Sequence, residues 1–77
     1  MYYSHSCSYC TKVFYTYHSN KEQAAEILFV GIKSHLTEWD EDHKEYEFDE
    51  APEIEIDQMY EVMIGLASPP SGGYELR

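Results

Sequence analysis

Two cysteines and four histidines are the residues of this chain whose types offer distinctive chemistry. Cys7 and Cys10 are separated by Ser8 and Tyr9. Thiolates at that spacing can turn a tight knuckle in which both sulfurs, and nearby backbone N–H groups, face one cation. His35 lies late in the apolar-periodic run that follows, and no other stretch brings comparable groups together. The pattern points to a structural site for Zn2+. A thiol redox pair without metal is the competing reading. A thioredoxin-like pair, however, sits at a helix N-terminus after a strand, whereas this one precedes a β-rich run.

The flanking sequence must bring these groups together. Tyr2 to Ser6 and Lys12 to Tyr17 are rich in aromatic and β-favouring residues, which predicts a hairpin with the knuckle between its arms. Alternation in the second arm sends Val13, Tyr15 and Tyr17 to one face and Phe14 and Thr16 to the other, and both faces carry aromatics. Ser19, followed three residues later by Glu22, marks a helix start. The helix is expected from about Asn20 to Trp39, because Ala24, Ala25, Leu28, Ile32, His35, Leu36 and Trp39 recur at three- and four-residue spacing. Gly31 inside it costs about 1 kcal/mol relative to Ala, which suggests the close approach of another group.

Asp40 to His43 breaks the apolar period as an acidic connector. Tyr46 and Phe48 then alternate with Glu45, Glu47 and Asp49, predicting a short acidic strand over Lys44 to Phe48. Ala51-Pro52 ends it. Asp57 is placed to cap a second helix through about Leu66, with Met59, Tyr60, Met63, Ile64 and Leu66 along one side. Ser68 to Gly73 reads as a linker. The expected fold is thus α+β: a hairpin bearing a metal knuckle, packed on a long helix, with a short acidic strand and a second helix. It forms one domain over residues 1–67, followed by a flexible tail over 68–77.

From Cys7 to Phe14 the sequence resembles the two-Cys, two-His zinc finger, in which two cysteines separated by two residues precede an aromatic four positions past the second. The resemblance covers roughly the first 43 residues. It implies that His35 is the first histidine ligand and His43 the second, completing a zinc set of Cys7, Cys10, His35 and His43. Cys10 and His35 are about twice as far apart as in that family, and seven residues rather than three to five separate the histidines. Lengths accommodate the enlargement. An extended chain from Cys10 to Ser19 travels about 30 Å, and a helix from Ser19 to His35 returns about 24 Å. Eight residues of continuous helix would hold His43 about 12 Å from His35, so the chain must leave the helix near Trp39 for both to bind. His5, two residues before Cys7 on a strand, is the rival fourth ligand.

Charge narrows the partners. The formal net charge is −10, and twelve of the fifteen carboxylates fall between Glu38 and Glu61, where Lys44 is the only base. Nucleic acids and anionic membranes would repel such a chain. The 77 residues hold no apolar run near the roughly 20 needed to cross a bilayer. With two closely spaced cysteines and no basic-then-apolar N-terminal segment, a reduced, cytoplasmic setting is expected. Four protein ligands would close a zinc shell against water, so no enzymatic activity is expected.

The leading expectation is a zinc-stabilised protein–protein interaction module, with Tyr2, Tyr3, Tyr9, Tyr15, Tyr17 and Trp39 as anchors. The alternative is an acidic mimic of nucleic acid that occupies the basic groove of a DNA- or RNA-binding protein. Surplus apolar surface at Ile27, Phe29, Val30, Met59, Met63 and Ile64 further suggests a homodimer.

Overall fold

Strand β1, Tyr2–Ser6, pairs antiparallel with β2, Val13–Tyr17, in a register that sets Tyr2 opposite Tyr17 and Ser6 opposite Val13. The hairpin is therefore as the alternation predicts. The Cys7 N–H donates to the Lys12 carbonyl at 3.0 Å, closing the base of the knuckle. The structure is a computed structural model and describes residues 1–39, 43 and 52–77. The strand expected at Lys44 to Phe48 lies outside the described residues.

Helix α1 spans Lys21–Leu36. Its N-cap is Asn20 rather than Ser19: the Asn20 side-chain oxygen accepts from the N–H groups of Glu22 at 2.8 Å and Gln23 at 3.3 Å. That satisfies two of the donors a helix start leaves unpaired. The helix ends three residues earlier than the apolar period suggests, with Thr37 as its C-cap. Ala24, Ala25, Leu28, Ile32 and Leu36 are all buried, so the three-and-four spacing does face the sheet. Trp39 is buried too, beyond the end of α1.

Helix α2, Ile56–Val62, begins after Glu55, and Asp57 lies in its first turn instead of capping it. It is also shorter than the predicted run to Leu66. Met63 has extended backbone, and Ile64–Leu66 form a strand, β3, antiparallel to β1. Three residues are too few for a period, and what holds β3 is pairing with a segment some sixty positions away. Tyr74–Glu75 form β4, parallel to β2. Among the described residues the sheet order is β3-β1-β2-β4. The stretch 68–77, expected as a flexible tail, thus supplies a sheet strand. The Leu76 N–H also donates to the Tyr15 carbonyl at 2.8 Å.

Phe14 and Thr16 turn inward beneath α1, which resolves the two-faced alternation of β2. Tyr2 contacts Tyr15 and Tyr17 edge-on, and Tyr17 is exposed. Met59 and Met63 are buried, so they supply no patch for self-association, and buried Trp39 offers no interface anchor. Val30 and Ile64 remain exposed. No helix among the described residues is long and apolar enough to cross a membrane.

Gly31 has a clear structural reason. A β-carbon there would collide with the side chain of Leu76, which lies across that face of α1. Two terms oppose each other in Gly31→Ala: a helix-propensity gain of about 1 kcal/mol and a displaced leucine. We expect G31A alone to change the melting temperature little. In a Leu76→Ala background the same change should raise it by roughly 4–8 °C, the shift that about 1 kcal/mol produces in a domain of this size. Thermal denaturation of the four chains of this double-mutant cycle measures the difference.

Candidate metal centre

Three elements deliver the site. The knuckle between β1 and β2 carries Cys7 and Cys10, the last turn of α1 carries His35, and the chain after α1 carries His43. Returning antiparallel to β2, the sixteen-residue α1 brings its C-terminus back to the knuckle. Beyond Thr37 the chain turns, and the His43 N–H donates to the Trp39 carbonyl at 3.0 Å. His43 lies beside His35 with ring centroids 4.7 Å apart. Continuous helix would have kept the two histidines far apart.

The four ligand atoms, two sulfurs and two ring nitrogens, all lie within 4.8 Å of one another. Cys7 Sγ is 3.2 Å from His43 Nε2, and Cys10 Sγ is 3.3 Å from His35 Nε2. Each imidazole thus presents the same nitrogen to the cluster. A tetrahedral ion with its usual bond lengths of about 2.3 Å to sulfur and 2.0–2.1 Å to nitrogen would hold such pairs about 3.6 Å apart. The observed pairs need only a few tenths of an ångström of expansion. Two thiols and two imidazoles converge on one point.

Packing fixes the rings. His43 is 1% exposed and stacks on Trp39, with centroids 4.4 Å apart and planes 10° from parallel. Tyr9 meets Trp39 edge-on at 5.1 Å. Among the described residues His43 Nδ1 has no hydrogen-bond partner, so the Trp39 stack and the contact of Nε2 with Cys7 Sγ orient this ring. Phe14, the aromatic four residues past Cys10, packs its ring 5.2 Å from that of His35.

The electrostatics favour a cation. Burial pushes the Cys7 thiol above its ordinary pKa, and the neighbouring Cys10 pushes the same way. Backbone hydrogen bonds from Tyr9 and Cys10 work against that rise, as expected where a knuckle points N–H groups at a sulfur. The buried Cys7 thiol therefore resists ionisation unless a positive charge joins it. A divalent ion at this point would supply that charge.

The structure brings all four sequence-predicted ligand residues together and leaves the rival out. His5 lies on β1 opposite Phe14 and does not belong to the cluster. His18, at the far end of the hairpin, accepts a hydrogen bond from the Asn20 N–H at 3.2 Å. Sequence reasoning missed the Trp39–His43 stack, although an aromatic four residues before a candidate ligand is the signal that one helical turn would bring into register. Compared with family models, with curated proteins and with solved structures, the chain matches none. The likeness to a two-Cys, two-His site rests on the arrangement of these side chains.

Replacing either histidine therefore has a definite expected outcome. His35→Ala and His43→Ala should each weaken metal binding by more than the roughly 10–100-fold that a supporting residue contributes. His5→Ala should leave it unchanged. Competition against a chromophoric chelator ranks the three, and a loss with H5A equal to that with H43A would reassign the fourth ligand.

Proposed function

We propose that the chain is a small zinc-stapled module whose metal is structural and whose activity is to bind another protein. The observation that carries the metal half is the convergence of Cys7, Cys10, His35 and His43 on one point. Zinc suits a mixed thiolate and imidazole set at tetrahedral spacing. Four protein ligands fill that shell and leave no position for water, which supports a structural role and not a hydrolytic one.

Size argues the same way. A domain of 77 residues has a small core, and a metal that binds only the folded chain adds its binding free energy to folding. The ion would join the hairpin, the end of α1 and the chain beyond it. These segments are distant in sequence, so the staple removes much of the freedom of the unfolded chain.

The interaction half rests on what the fold leaves over. An acidic segment occupies the second half of the sequence, while exposed apolar side chains persist at Val30, Val62 and Ile64. Such surfaces suit recognition by another protein or a second copy of the chain.

Native mass spectrometry of protein purified under reducing conditions without added metal should show one zinc-sized mass per chain. Removal of that ion by a chelator should abolish cooperative thermal unfolding. Cys7→Ala should abolish metal retention and reproduce the chelated state. A metal-free chain that melts cooperatively, and equally so with C7A, would refute the metal half.

A further inference from the structure

A cavity of about 280 Å³ opens between the end of β1, α1 and the segment that leads into α2. Ile32 and Leu36 of α1 and Met59 of α2 form its buried floor, and Ile54 forms one wall. Cavities of about 150 Å³ lined by aliphatic side chains accept a benzene ring, so this one has room for a leucine or phenylalanine side chain.

Its lip differs in character from its floor. At Glu55 the backbone is extended, and exposure alternates along this stretch: Ile54 and Ile56 are partly buried, whereas Glu53 and Glu55 face solvent. Both carboxylates line the opening, and no lysine or arginine does so among the described residues. The chain as a whole carries −10. An apolar slot with a paired acidic lip, in a strongly negative field, complements one kind of ligand: an apolar side chain flanked by cations. The lip charges steer and select, and the buried side chain supplies most of the hold.

We propose that this groove binds a basic segment of a partner protein, seating a leucine or phenylalanine between Ile32, Leu36, Ile54 and Met59 while flanking lysines or arginines face Glu53 and Glu55. The proposal rests on reading the chain as an interaction module and names the chemistry of the partner. Nucleic acid lacks both the cations and the aliphatic anchor. A second copy of this acidic chain would bring like charges together at the lip.

The test uses the full chain with zinc added and fluorescein-labelled peptides followed by anisotropy. The first peptide carries Leu-Phe between paired lysines and arginines, the second replaces Leu-Phe by Ser-Ser, and the third replaces the basic residues by glutamates. We expect saturable binding of the first alone, weakening as salt rises. The serine peptide should lose at least about tenfold in affinity, as burial of one large apolar side chain implies.

Charge placement is tested by two variants of equal net charge. Glu53→Gln with Glu55→Gln should weaken binding roughly three- to tenfold at low salt, the range for two exposed ion pairs. Glu22→Gln with Glu26→Gln, which removes two carboxylates elsewhere, should leave it intact. All four positions are exposed, so folding should survive, and circular dichroism checks it.

No binding of the first peptide at about 1 mM, equal binding of the serine peptide, or equal weakening by the two double variants would each overturn the proposal. Zinc content measured on the same samples separates the two readings. A zinc-loaded, folded chain that ignores the first peptide overturns the groove alone, and a metal-free folded chain that binds it through Glu53 and Glu55 overturns the metal alone.

Discussion

The match in length between the outgoing β2 and the returning α1 is the constraint on which the rest of the structure depends. The chain leaves the knuckle at Cys10, runs out along β2, turns at Asn20 and comes back along sixteen residues of helix to His35. One residue more or less in that helix would shift His35 by about 1.5 Å and rotate it by about 100°, off the face that meets the knuckle. Asn20 matters for the same reason. By ending the turn at one defined residue, its cap sets the phase of α1, and so whether Leu28, Ile32 and His35 point at the sheet together.

The convergence of Cys7, Cys10, His35 and His43 also bears on where α1 ends. The apolar period continues to Trp39, and local preference alone would extend the helix that far. Stopping at Leu36 and turning lets Trp39 and His43 fold back over the site, where the indole stacks on the imidazole. The break in α1 is offset by burial of two rings and by the placing of His43 in the cluster. Local propensity is worth a few tenths of a kcal/mol per residue, whereas burying a large aromatic side chain is worth several times that, so the tertiary term prevails.

The C-terminal half completes what the hairpin begins. A two-stranded hairpin is marginal by itself, and β3 and β4 extend it on both sides to a sheet broad enough to support α1. Leu76 packs over Gly31 while its N–H bonds to Tyr15, so the last residues link the helix to the sheet. The carboxylates of residues 53, 55, 57 and 61 stay at the surface as this half wraps the core. Polar hydration of these groups is retained while their neighbours Ile54, Met59 and Met63 are covered, the alternation that an acidic segment needs in order to fold at all.

The sequence by itself determined the hairpin, the long helix and three of the converging side chains, Cys7, Cys10 and His35. Aromatic and β-favouring residues on both sides of Cys7 and Cys10 encode a hairpin, and the three-and-four spacing from Ala24 to Leu36 encodes a helix, because side-chain direction repeats with a fixed period in each. Strand rise and helix rise are equally fixed, so the return of His35 to the knuckle was legible as arithmetic. Tertiary structure alone decided the rest. It chose His43 over His5, because that choice depends on a turn after Leu36 held by stacking on Trp39. It buried Phe14 and Thr16 and left Tyr15 and Tyr17 outside, because a strand with aromatics on both faces has no inward side until a helix is laid on one of them. It also made strands of Ile64–Leu66 and Tyr74–Glu75, since segments of three and two residues carry no period and acquire their conformation from the backbone groups of the strand beside them.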